Sequence, residues 1–129
     1  MGNFILFCRI TIARFCCVNL YLLYYTGEKY MLDFVLCDDN FNALTRLEKM
    51  LESLFIECKI NARIALSTTN PEELTEFVKV NKVNVVFLDI DLKSNITGLD
   101  LADIIRKKDR NIYIIFTTGH LEYGLMAYR

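Results

Sequence analysis

Two adjacent carboxylates, Asp38-Asp39, end one apolar run, and a single acid, Asp89, ends another, Val85-Val86-Phe87-Leu88-Asp89. If both runs are neighbouring parallel strands, three carboxylates meet at one edge of a sheet. The carboxyl ends of strands are where open α/β sheets place their chemistry. Close oxygen ligands without Cys or His suit a hard divalent cation such as Mg²⁺.

The elements that must position these acids are legible from Met31 onward. Leu32 to Cys37 reads as a short buried strand. Asn40 is a helix N-cap, followed by Phe41, Leu44, Leu47, Met50 or Leu51, and Leu54, whose spacings of three and four describe one apolar helix face. Ala62 to Leu66 is a weaker strand, followed by Ser67-Thr68-Thr69. Asn70-Pro71-Glu72-Glu73 then starts a helix with a cap, a proline at the first position and acids in the first turn, and this helix runs to about Val80. Val83 to Leu88 is almost continuously apolar, as a strand covered on both faces must be. A polar loop containing Asp91 and Lys93-Ser94-Asn95, with Gly98 as its turn residue, leads to a helix with Leu99, Leu101, Ala102, Ile104 and Ile105 on its apolar face. That helix closes on Arg106 to Arg110, a charged run read as a solvated helix end. Ile112 to Phe116 is another buried strand, ending in Thr117-Thr118-Gly119-His120, and Leu121 to Tyr128 reads as helix. The alternation of strand and helix predicts an α/β sheet with right-handed crossovers.

Composition narrows the function classes. The chain has 129 residues, 53% of them hydrophobic, enough for a packed core and for one domain at most. A net charge of -1 leaves no electrostatic footprint for direct nucleic-acid binding. Of the five cysteines (Cys8, Cys16, Cys17, Cys37 and Cys58) none forms a Cys-x-x-Cys pair, and an odd number argues against a closed disulfide framework. A reducing, cytoplasmic setting follows.

The first thirty residues stand apart. Phe4 to Tyr25 is apolar, but Arg9 and Arg14 lie inside the run, and each costs about 2.5–3.5 kcal/mol near a bilayer centre. The order of charge, apolar run and cleavage site is not that of a secretory signal. Gly27-Glu28-Lys29 can be encoded by a purine-rich stretch resembling a bacterial ribosome-binding site just upstream of Met31. Residues 1–30 are therefore read as an apolar N-terminal extension outside the folded unit, arising from a misplaced start. A membrane anchor and a folded extension are the alternatives.

Residues 31–129 resemble the receiver domain of bacterial two-component response regulators. The stretches LCDDN, LSTTNPEEL, VFLDIDL and IIFTTGH are most similar to receivers of LytTR-type transcription regulators. The resemblance implies a flavodoxin-like doubly wound parallel sheet of strand order 2-1-3-4, counted from the strand at Leu32. It further implies that Asp89 is the phosphoacceptor, taking a phosphoryl group from a sensor histidine kinase. Asp39 is then a direct Mg²⁺ ligand, Asp38 a ligand through water, and the backbone carbonyl of Asp91 a third protein position. Thr118 matches the hydroxyl that hydrogen-bonds the phosphoryl group and switches on activation, with Thr117 the adjacent alternative. His120 falls where similar receivers tune dephosphorylation, although a solvated loop histidine is the plainer reading.

The sequence also departs from the family. The fifth strand, the lysine at its end, its switch aromatic and the fifth helix have no counterpart after residue 129, and no DNA-binding output domain follows. The chain is thus expected to be an incomplete receiver, a signalling domain rather than an enzyme. Two other classes stay open. A receiver-like docking module that is never phosphorylated would use the unpaired edge of the strand ending at Thr118. A haloacid-dehalogenase-type phosphohydrolase would use Asp89-Ile90-Asp91 as nucleophile and acid/base, leaving Asp38-Asp39 unexplained.

Overall fold

The computed structural model describes residues 31–118 and, as backbone, a strand at residues 4–8. The elements in chain order are β1 (Phe4–Cys8), β2 (Leu32–Cys37), α1 (Phe41–Glu57), β3 (Ala62–Thr68), α2 (Pro71–Val80), β4 (Val85–Asp89), α3 (Gly98–Lys108) and β5 (Tyr113–Thr118). All pairings are parallel, and the sheet order is β1-β5-β4-β2-β3.

Period-two alternation explains how one sheet serves two cores. Val35, Cys37, Val86, Leu88, Ile114 and Phe116 pack on one face against Leu74 and Val78 of α2 and Leu101, Ala102 and Ile105 of α3. Phe34, Leu36, Val85, Phe87 and Ile115 pack on the other against Leu44, Leu51, Leu54 and Phe55 of α1. Phe34 ties this second core to both layers, with its ring centroid 4.8 Å from that of Phe55 and 6.1 Å from that of Phe87. Every residue of β4 is buried, which is why its sequence is apolar without alternation. At the amino edge, Asn84 cross-links three strands: its side-chain oxygen accepts from Asp33 N (2.8 Å), its own N–H donates to Asp33 O (3.0 Å), and its carbonyl accepts from Tyr113 N (3.0 Å).

The caps form as the sequence predicts. Asn40 Oδ1 accepts from Ala43 N at 3.1 Å, and Asn70 Oδ1 accepts from Glu72 N at 3.0 Å with Pro71 in the first helical position. The start of α3 differs: Thr97 is its cap in a reciprocal box with Asp100, and Gly98 is its first helical residue rather than a loop turn. Two positions assigned to apolar helix faces are exposed. Phe41, the first residue of α1, is 72% exposed, and Ile104 is 40% exposed. Arg106 is not a solvated helix end; its Nη1 donates to the carbonyls of Arg110 (3.0 Å) and Ile112, pinning the turn between α3 and β5. The helix expected over Leu121–Tyr128 lies outside the described residues.

From Leu32 onward the strands have the expected 2-1-3-4 order. The expectation of an unpaired final edge does not hold. β1 lies beside β5 in register from Phe4↔Ile114 to Cys8↔Thr118, so residues 4–8, set apart on composition, belong to the same sheet.

Candidate functional site at the carboxyl edge of the sheet

Asp38 follows the last residue of β2, and Asp89 is the last residue of β4. The pairing Cys37↔Leu88 carries both to the same edge. One carboxylate oxygen from each of Asp38, Asp39 and Asp89 lies within 4.8 Å of the others. The cluster is not a solvated patch: Asp38 is 3% and Asp89 8% exposed, with Asp39 half-buried. Main-chain amides orient the acids. Asp38 Oδ1 accepts from Asn40 N at 2.9 Å, and Asp89 Oδ1 accepts from Asp91 N at 3.3 Å.

Burial first, and the negative charge of Asp38 second, push the Asp89 carboxyl up to about 7, against the pull of the Asp91 amide. The same surroundings act on the thiol beneath. Burial, with Asp38 the largest of four nearby acid charges, pushes Cys37 up to about 12 and leaves it an inert core residue.

The other predicted residues fall in different places. The Asp91 side chain is exposed and outside the carboxylate cluster, and its tie to the site is its main chain. Thr117 is in register with Asp89, is 2% exposed and donates from Oγ1 to the Leu88 carbonyl at 3.4 Å, so its hydroxyl is committed to the sheet. Thr118 is described as strand backbone, one residue further toward the carboxyl edge. His120 lies outside the described residues.

Two supporting residues were not assigned to the site from sequence. Gly98 packs so closely that a Cβ there would stand 2.2 Å from the Asp89 carbonyl oxygen and 2.8 Å from Ile90 Cα, while its N–H donates to Ile90 O at 2.9 Å. The only sequence signal was a glycine at a loop–helix junction. Thr68, at the end of β3 and 5% exposed, accepts from Asn70 N (2.9 Å) and donates to Glu73 Oε2 (2.6 Å), fixing a further acid at this rim.

The donor set suits a hard divalent cation. It is all oxygen, convergent and partly desolvated, and the charges of its members oppose one another.

Comparison with known proteins accords with this geometry. A family model described as the response regulator receiver domain matches residues 34–127. The accessory gene regulator protein A of Staphylococcus aureus (strain N315) is 32% identical over 94 residues, covering 72% of this chain and 40% of that protein. Its Staphylococcus epidermidis counterpart is 30% identical over 93 residues, covering 71% of this chain and 39% of the relative. The chain thus spans about two-fifths of the length of these relatives. Among solved structures, the response regulatory domain of protein mrkE from Klebsiella pneumoniae superposes with a TM-score of 0.60 at 26% identity, covering 75% of each chain. The signal receiver domain of a modulated diguanylate cyclase from Desulfovibrio desulfuricans G20 gives a TM-score of 0.58 at 23% identity over 77% of this chain and 75% of that one, a likeness of fold.

Proposed function

Because this chain belongs to the response regulator receiver domain family of two-component systems, we propose that Asp89 accepts a phosphoryl group from a sensor histidine kinase. The observation that carries this reading is the convergence of Asp38, Asp39 and Asp89 at the carboxyl edge, with Asp89 at the end of the central, fully buried strand.

The step is a displacement at phosphorus. A carboxylate oxygen of Asp89 forms the new P–O bond, the P–N bond to the kinase histidine breaks, and the imidazole leaves with its electron pair and takes a proton. Asp89 must be ionised to attack, and burial first, then the charge of Asp38, oppose that ionisation. Asp38, Asp39, Asp89 and the Asp91 carbonyl would hold Mg²⁺. When bound, the ion supplies the positive charge that offsets both the carboxylates and the incoming phosphoryl oxygens. Asp91 N–H keeps one Asp89 oxygen aimed, and Gly98 holds the Asp89 carbonyl against the start of α3. Thr118 is the hydroxyl proposed to bond the phosphoryl group.

The two alternative classes lose their support. The docking reading rested on an unpaired β5 edge, and β1 pairs that edge. The phosphohydrolase reading needs the Asp91 carboxylate at the nucleophile, whereas it is exposed and outside the cluster that contains Asp38 and Asp39. Partner kinase, a DNA-binding output domain in a longer parent of the LytTR type, and a cytoplasmic location are part of this proposal. No helix among the described residues is long and apolar enough to cross a membrane.

Intact mass of the full chain after incubation with a small phosphodonor, with and without Mg²⁺ and beside Asp89→Asn, tests the reading. One Mg²⁺-dependent phosphoryl adduct, absent from the variant, is the expected result. A folded chain that gains no adduct, or an adduct that persists in Asp89→Asn, overturns it.

A further inference from the structure

β1 comes from the part of the chain whose composition sets it apart, yet it pairs with β5 over five residues in the same parallel sense as the rest of the sheet. Its sequence, Phe4-Ile5-Leu6-Phe7-Cys8, is rich in residues that suit a pleated surface and has no Pro or Gly. β5 is held on its other side by β4, from Val85↔Tyr113 to Asp89↔Thr117. Stripped of β1, β5 would present a row of unpaired main-chain groups beside Ile114, Ile115 and Phe116, the kind of edge that recruits another strand.

The connection back to β2 is no obstacle to this arrangement. From β1 to β2 the chain crosses three strand spacings, about 14 Å, and returns along the length of a strand. Residues 9–31 can span several times that when extended. A tethered strand also competes at an effective concentration of order mM, far above that of a second copy of the chain in solution.

We propose that residues 4–8 are the chain's own closing strand, a tethered segment that occupies the β5 edge in cis and keeps that edge from pairing with a second copy. The proposal concerns the sheet edge alone and does not depend on phosphorylation.

Two experiments on the full chain test it, neither with a phosphorylation readout. Cys8 is in register with Thr118. Parallel neighbours stand about 4.8 Å apart, within the Cα range of roughly 4.4–6.8 Å that a disulfide bridges. Under mild oxidation Thr118→Cys is expected to form a bridge from Cys8 to residue 118 within one chain, read by peptide mapping of the monomer. A bridge between two chains, or a Cys8 that stays free, overturns the proposal. The second is Ile5→Pro with Leu6→Pro. One of two adjacent strand residues points its N–H at the partner, and proline removes that donor. Amides of β5 that face β1 are then expected to exchange about tenfold faster or more, while amides of β2 and β4 stay protected and a concentration-dependent dimer appears in light scattering. Unchanged β5 protection overturns the proposal.

Discussion

Gly98, the first residue of α3, lies against the carbonyl of Asp89, and a Cβ at that position would stand 2.2 Å from the oxygen. No side-chain rotation relieves such a contact, because both partners are main chain. The close approach couples the start of α3 to the end of β4, so the strand that ends in the proposed phosphoacceptor cannot move independently of that helix.

Gly98→Ala is therefore expected to destabilise the fold by about 1–3 kcal/mol, the usual cost of overpacking a tight contact. Denaturant unfolding measures it. Because relief requires the Asp89 backbone to shift, the rate of adduct formation with a small phosphodonor should fall in the same variant under conditions where it stays folded.

The pH dependence of stability should carry the signature of Asp89. Its carboxyl is held at about 7 in the fold against 3.8 without such surroundings, so the native state binds this proton more tightly than the unfolded state. Its contribution favours folding fully below about pH 4 and is lost as pH rises through about 7. Asp89→Asn removes that loss. Measured in chelator, the variant should gain stability relative to the parent chain as pH rises from 4 to 8, by on the order of 1 kcal/mol or more. A constant difference across that range would contradict the argument.

Mg²⁺ should reverse the same penalty. An ion held by the folded site alone stabilises it by about 1.4 kcal/mol at ten times its Kd, which corresponds to several degrees in Tm for a domain of this size. Asp39→Asn should abolish most of that shift. Titration near neutral pH should also release protons, because binding needs Asp89 ionised; calorimetry in buffers of different ionisation enthalpy reads this directly.

Cys37 should be silent toward alkylating reagents in the native protein. It is 1% exposed, and its thiol is pushed up to about 12, so almost no thiolate exists at pH 8. Peptide mapping after iodoacetamide treatment is expected to find Cys58, which is half-buried, labelled well before Cys37, with both labelled in denaturant.

Much of this molecule is written in short-range signals. Asn40, and Asn70 with Pro71, cap helices through hydrogen bonds that reach only two or three residues, so residue type and spacing suffice to place them. The runs at Leu32–Cys37 and Val85–Asp89 read as buried strands because a strand covered on both faces has no polar side. The adjacency of Asp38 and Asp39 is covalent. These features carried the α/β class, the four-strand order through family resemblance, and the three carboxylates of the candidate site.

What the sequence could not decide depends on what lies opposite. Periodicity marks a face as apolar without saying whether anything covers it, and so Phe41 and Ile104 emerged exposed. Arg106 looked like one more solvated cation until the fold brought the carbonyls of Arg110 and Ile112 beneath it. Gly98 reads as a turn glycine, and only the return of α3 onto β4 shows that the Asp89 carbonyl leaves no room for a Cβ. The largest difference is β1. Its apolar run and two nearby arginines resemble no element of the remaining chain, and its partner β5 lies at the far end of the sequence. Pairing at that separation is decided by which sheet edge is open, a property of the folded sheet that no local pattern encodes.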